Sequence, residues 1–276
     1  MTDRRLEFEQ IAFSGGGIRC FWHGGFMSKV GDAASLRPAR ISGVSGGALS
    51  GAAWIGGVER DLLDLMRQAF DMNDANFEAR SSNLTPHQEI YRAVVSTTMD
   101  REAIDKVANG PAFEVILGLP PQRMNPHLVA IYAGMAYQID QHIRSTPRLE
   151  WPRKLGMEAL RVDARQAARD GTLIDLICAA ATIPPVFDVP CWNGQAVLDG
   201  GMLDKAPLPR PDHGRTLVLL TRRYRNLPQD ERLVHVQPLH EVRADKIDFT
   251  DSSKVGDTWD QGARDAERWL AGASLC

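Results

Sequence analysis

The chain has 276 residues, 43% of them hydrophobic and 24% charged, so it holds enough apolar material for a sizeable core and is not a disordered chain. With 32 basic against 35 acidic residues the formal net charge is -3, which leaves no global positive field for a polyanion and removes nucleic acid from the expected partners. The four cysteines, Cys20, Cys178, Cys191 and Cys276, show no CxxC spacing, which excludes a disulfide scaffold and a structural zinc site.

The first ten residues are charged and contain no apolar signal core, and no apolar run approaches the roughly 18 residues a spanning helix needs. The expectation is a cytoplasmic protein with reduced thiols, free to make peripheral contact with a membrane surface. Residues 6–13 alternate Leu, Phe, Ile and Phe with polar residues, a strand pattern, and run straight into Gly15-Gly16-Gly17. A helix is predicted over 23–36, a short strand over 39–43, and a helix rich in small residues over 48–57. Residues 58–77 place Leu62, Leu63, Leu65, Met66, Ala69 and Phe70 at helical spacing. Helices follow over 86–95 and 101–109, then a strand over 113–119; residues 127–143 read as a helix or a strand pair.

Thr172 can cap a helix over 173–182 that the Ile183-Pro184-Pro185 step ends. A strand over 195–198 stops at Asp199-Gly200-Gly201, and 215–221 (RTLVLLT) has the continuous apolar character of a strand buried on both faces. A last strand is predicted over 233–236 and a last helix over 255–270. Strands alternating with helices, without an interdomain linker or a repeat, predict one α/β domain with a mostly parallel sheet covered on both sides. Its core motifs lie within about 8–209, with a strand and helix extension over 210–276.

Three short segments could carry chemistry. Gly43-Val44-Ser45-Gly46-Gly47 is a GxSxG sequence between a strand and a helix, where a strained turn exposes the serine hydroxyl and the glycines avoid collisions. The simpler reading is a glycine-rich start of a helix with a capping serine. Ser14-Gly15-Gly16-Gly17-Ile18-Arg19 offers unobstructed backbone N–H groups for a negative oxygen. It fits neither a dinucleotide fingerprint, since Cys20 holds the final glycine position, nor a P-loop, which needs GxxxxGK[ST]. An oxyanion hole needs a nucleophile in the same chain, and Ser45 supplies one. Asp199-Gly200-Gly201 reads either as a tight turn or as a base on a loop whose glycines allow close approach to Ser45.

In this order along the chain, the three segments resemble the GGGxR, GxSxG and DG[AG] blocks of the patatin-like phospholipase family, a resemblance that spans about residues 13–209. The resemblance implies a three-layer α/β fold related to the α/β-hydrolase architecture. It also implies a lipid acyl hydrolase in which Ser45 is the nucleophile and Asp199 its partner in a Ser–Asp dyad. The amides of Gly15, Gly16 and Gly17 would form the oxyanion hole, with Arg19, Gly43, Gly47, Gly200 and Gly201 in support. The implied substrate is a phospholipid, lysophospholipid or glyceride ester; no cofactor and no metal is implied. Where the family usually has glycine after the arginine, this chain has Cys20, which puts the donor geometry of the loop at issue.

Two other functions stay open on the same dyad or fold: acyl transfer to an alcohol other than water, and a non-catalytic lipid-binding module. A Ser–Asp–His triad is the nearest rival mechanism, since His213, His235 and His240 all follow Asp199. His23 reads as a packing residue beside the glycine loop. Residues 128–137 are candidate lining of an acyl channel, Trp151, Trp192, Trp259 and Trp269 candidate interfacial anchors, and 73–88 a candidate lid. Arg222, Arg223 and Arg225 form a basic cluster that would either steer anionic headgroups or stand as a solvated loop.

Overall fold

The structure is a computed structural model that describes residues 7–33, 36–73, 87–121, 129, 145–182, 189–245 and 248–272. Nine strands and nine α-helices are assigned among these residues. In chain order they begin β1 (Gln10–Phe13), α1 (Phe21–Ala33), β2 (Arg40–Val44), α2 (Gly46–Gly56), α3 (Glu59–Asp71), α4 (His87–Thr98), α5 (Arg101–Asn109) and β3 (Ala112–Leu119). Then come α6 (Trp151–Lys154), β4 (Glu158–Asp163), α7 (Ala164–Arg169), α8 (Leu173–Ala180), β5 (Cys191–Trp192), β6 (Gln195–Ala196) and β7 (Leu198–Asp199). The last are β8 (Thr216–Leu219), β9 (Leu233–Val236) and α9 (Ser252–Leu270).

The main sheet runs β4-β3-β2-β1-β8-β9. The β2–β3, β1–β2, β1–β8 and β8–β9 pairs are parallel, and β4 closes the β3 edge antiparallel. The expected mostly parallel sheet flanked by helices is therefore present. The inner strands β1 and β8 are buried at every residue, as expected when helices cover both faces. One hydrophobic cluster reaches from Phe8 through Phe13, Trp22 and Phe113 to Ala266.

The amphipathic pattern around Leu62 and Met66 forms α3, which buries Leu62, Leu63, Met66 and Phe70. Its four last predicted residues, 74–77, fall outside the described residues, as do residues 127–143 apart from 129. The predicted strand over 195–198 is divided: Gln195–Ala196 pairs with Cys191–Trp192 in a small hairpin, and Leu198–Asp199 joins β3. Thr172 stands at the cap position of α8, but its side chain makes no cap bond; the hydroxyl donates to the Ala167 carbonyl at 3.3 Å instead.

Helices α1 and α9 cross in near contact because glycines face backbone at the crossing. A Cβ on Gly25 would collide with the Trp259 carbonyl oxygen, and one on Gly262 with the Trp22 carbonyl oxygen. Trp22 Nε1 donates to buried Asp265 Oδ2 at 2.9 Å, which fixes the rotation of one helix against the other. The segment beyond residue 210 is thereby built into the core through β8, β9 and α9.

Candidate active site

Strand β2 ends at Val44, and the chain turns at once into α2 through Ser45, whose φ of 56° and ψ of -138° lie outside the ordinary regions for a side-chain-bearing residue. The flanking glycines make this turn possible. A Cβ on Gly43 would lie 2.8 Å from Ala48 Cα, and one on Gly47 would run into the carbonyl oxygens of Phe13 and Ser14. Ser45 is 1% exposed and sits at the N-terminus of α2, so the positive end of that helix faces its hydroxyl.

The glycine loop is laid against this turn. A Cβ on Gly15 would be 2.9 Å from Ser45 Cβ. Thr221, just past β8, holds the loop: its Oγ1 donates to the Gly15 carbonyl at 2.8 Å, and its N–H donates to Ser14 Oγ at 3.2 Å. A Cβ on Gly16 would overlap Thr221 Oγ1, and Gly17 has φ 57°, so both positions suit glycine. One expectation needs correction here. The Gly15 N–H donates to the Lys205 carbonyl at 2.8 Å, so it is committed and is not free for an oxyanion. Among the described residues the Gly16 and Gly17 amides make no such bond, nor does that of Gly46, which opens α2.

Arg19 does not reach into the site; its Nε donates to the Ala244 carbonyl at 3.3 Å and ties the loop to the segment before α9. Cys20 is buried, with its thiol 3.5 Å from the Ser14 carbonyl and against the backbone of Gly46. Its side chain fills space beside the turn and leaves Gly16 and Gly17 their conformation.

The register of β3 brings Asp199 to the same place. Val44 pairs with Ile116 and Asp199 pairs with Leu117. Strand β4 occupies the other edge of β3 from Glu114 to Leu119, so β2 and β7 share one edge, end to end, at successive registers. Asp199 is 1% exposed. Its Oδ1 accepts from the Gly201 N–H at 2.7 Å, whereas Oδ2 is buried without a hydrogen-bond partner. Asp199 and Ser45 therefore make no hydrogen bond to each other. Neither Gly200 nor Gly201 has positive φ, so the segment is not the type I′ turn that Asp-Gly often forms. Gly200 is instead pressed against the Ile116 carbonyl, and Asp199 caps the short 3-10 helix Gly200–Met202.

A small cavity, partly open to solvent, runs from Gly17, Ser45 and Gly46 along α2 past Leu49 and Ala53. Leu62, Met66 and Trp259 form much of its far wall, and Tyr91 and Glu59 supply polar groups. Ser45 thus opens onto a mainly apolar space. Among the described residues, no group of His, Cys, Asp or Glu side chains could hold a metal.

A family model for patatin-like phospholipases matches residues 11–211. The chain belongs to that family. As a patatin-like phospholipase it falls among lipid acyl hydrolases, and the match contains the glycine loop, the Ser45 turn and Asp199. No curated protein matches the chain. Trp259 and Phe249 of the cavity lie beyond residue 211, so in this patatin-like phospholipase the C-terminal extension contributes wall to the space that Ser45 faces.

The histidines do not form a triad with Ser45. His213 Nε2 is 2.8 Å from Arg40 Nη2, at the start of β2 and the opposite end of the sheet from Ser45. His235 is on β9, separated from β2 by β8 and β1, and His240 offers its carbonyl to Gln261. His23 is fully buried against Phe13, and burial lowers its pKa to about 3, so it stays neutral as a packing residue.

Of the four tryptophans, Trp259 lines the cavity and Trp269 packs on Phe8 and Phe26. Trp192 is half-buried, and Trp151 is 46% exposed beneath Lys154. In the basic cluster Arg222 lies over the Tyr224 ring and Arg223 donates to the Leu239 carbonyl. The candidate channel residues 128–137 lie outside the described residues except Val129, which packs with Leu198, Met202 and Leu203 away from the cavity. Of the candidate lid over 73–88, residues 74–86 also lie outside. No helix among the described residues is long and apolar enough to cross a membrane.

Sequence reasoning missed Tyr91, Glu59, Lys205 and Thr221. Leu62 and Met66 were legible as a helix face, but nothing in their spacing distinguishes core from cavity wall. Thr221 and Lys205 act through a hydroxyl and a carbonyl that no short motif encodes.

Proposed function

We propose that the protein hydrolyses carboxylic esters of acyl lipids, of phospholipase A, lysophospholipase or esterase type, with Ser45 as nucleophile and Asp199 as base. The observation that carries this reading is the shared edge of β3, which sets Ser45 and the unpartnered Asp199 Oδ2 at neighbouring registers beside a glycine loop and an apolar cavity. The acyl chain occupies the cavity with its carbonyl at Ser45. Asp199 accepts the Ser45 proton as Oγ attacks the carbonyl carbon, and the carbonyl oxygen, now negative, accepts hydrogen bonds from the Gly16 and Gly17 amides. The proton passes to the departing alcohol. Water, giving its proton to the same aspartate, then cleaves the acyl-serine and releases the fatty acid.

A carboxylate is a weak base for a hydroxyl, so the oxyanion donors and the helix N-terminus carry much of the rate. Peripheral contact with a membrane is the expected route to such substrates. The test is fatty-acid release from a membrane lipid extract and from a p-nitrophenyl ester. Ser45→Ala abolishes both, and Asp199→Asn, which can still accept from Gly201, lowers both by about 10²–10⁴-fold. Undiminished release by Ser45→Ala would refute the reading.

A further inference from the structure

Tyr91 lies on α4, and its side chain lines the same cavity as Ser45 and Gly46. Tyr91 is half-buried, and its hydroxyl is buried with no hydrogen-bond partner among the described residues. A buried hydroxyl left without a partner is disfavoured, and proteins seldom keep one without a use for it. Burial raises the Tyr91 pKa well above 10, and Cys178, Cys20 and Asp199 raise it further in that order. The group is therefore a neutral donor throughout the physiological range, never a base. Those three neighbours also locate it. Cys20 backs onto Gly46 at the nucleophile turn, and Asp199 Oδ2 is the other orphaned polar atom of the site. Tyr91 thus brings an uncommitted donor to the cavity that Ser45 lines, and an uncommitted acceptor, Asp199 Oδ2, stands one β3 register from the Ser45 turn.

We propose that the Tyr91 hydroxyl donates a hydrogen bond to the alcohol-side oxygen of the bound ester and stabilises that oxygen as the C–O bond breaks. This rests on the hydrolase reading above. In that scheme the oxygen leaves on the side of Asp199, because Asp199 returns the proton to it. Tyr91 keeps its own proton; its hydrogen bond strengthens as charge develops on the leaving oxygen, since charge-assisted bonds are roughly twice as strong as neutral ones. The acyl half of the substrate lies instead among Leu49, Ala53, Leu62 and Met66, where no donor is needed.

The experiment compares two octanoate esters that differ only in the alcohol. Ethyl octanoate releases a basic alkoxide that needs a donor; p-nitrophenyl octanoate releases a delocalised phenolate that does not. Tyr91→Phe is expected to lower kcat/KM for the ethyl ester by about 10–100-fold and to change the p-nitrophenyl ester less than about threefold. Because the hydroxyl has no partner, the same substitution should leave the melting temperature unchanged or raise it by about 2–4 °C. Equal losses on both esters, or a fall in melting temperature with them, would make Tyr91 structural and overturn the proposal; so would unchanged turnover of the ethyl ester. Ser45→Ala is run beside it. If Ser45→Ala turns over both esters like the wild type, the hydrolase reading itself fails, and the two failures are told apart.

Discussion

Replacing Ser45 by glycine should abolish activity and at the same time make the protein more stable. Ser45 carries φ 56° and ψ -138°, a conformation that glycine adopts freely and that costs a residue with a Cβ on the order of 1–3 kcal/mol. Against this, glycine adds backbone entropy to the unfolded chain, about 0.5–1 kcal/mol. Among the described residues the Ser45 hydroxyl makes no hydrogen bond whose loss would add to the balance. The net gain is about 1 kcal/mol, or a rise of roughly 2–4 °C in melting temperature for a chain of this size. Ser45→Ala is the control, since alanine keeps the Cβ and the strain while removing the hydroxyl. The assay is thermal unfolding of wild type, Ser45→Ala and Ser45→Gly under one buffer. If Ser45→Gly melts at or below Ser45→Ala, the turn stores no strain and the reasoning from its dihedral angles is wrong.

Two further perturbations test the surroundings. Gly16→Ala drives a Cβ into Thr221 Oγ1, which must give up its bond to the Gly15 carbonyl and let the loop shift; kcat should fall by about 10²–10³ with a smaller effect on KM, measured by steady-state ester hydrolysis. Glu59, held in the cavity by burial, has its pKa raised from 4.5 to about 7. Between those values the folded protein keeps a proton that the unfolded chain has released, so this group's contribution falls as pH rises and is fully lost above 7. Glu59→Gln should therefore match the wild type near pH 4.5 and exceed it at pH 8 by on the order of 3 kcal/mol, read from urea midpoints. An equal difference at both pH values would contradict this.

The parts of the fold and site that follow local rules were legible from the chain alone. Strand β1 and the amphipathic α3 declare themselves through periodicity, β8 through a continuous apolar run and α2 through its small residues, and Gly43–Gly47 announces a strand-to-helix turn. Strand β4 escaped because it lies at the edge of the sheet, with Glu158, Ala159 and Asp163 exposed, so it shows neither alternation nor a continuous apolar run. The commitment of the Gly15 amide to Lys205 escaped for a different reason. A glycine triplet reveals that three amides are unobstructed, but which of them meets another carbonyl is decided by a segment about 190 residues away. Tyr91 sits in a helix whose spacing marks it as one more half-buried aromatic, and only its orphaned hydroxyl distinguishes it.

Strand β3 contributes no side chain to the chemistry proposed above, yet it works as the ruler of the site. Ile116 and Leu117 are adjacent in the chain, and each fixes one of the two segments that must meet. A single-residue insertion between them would push the carboxylate a full strand step away and invert the face on which it projects. Exchanging one apolar residue for another along this strand alters packing, whereas a change of its length at that junction separates the two segments. The count of residues in β3 at this junction is therefore held more tightly than the identity of its apolar side chains.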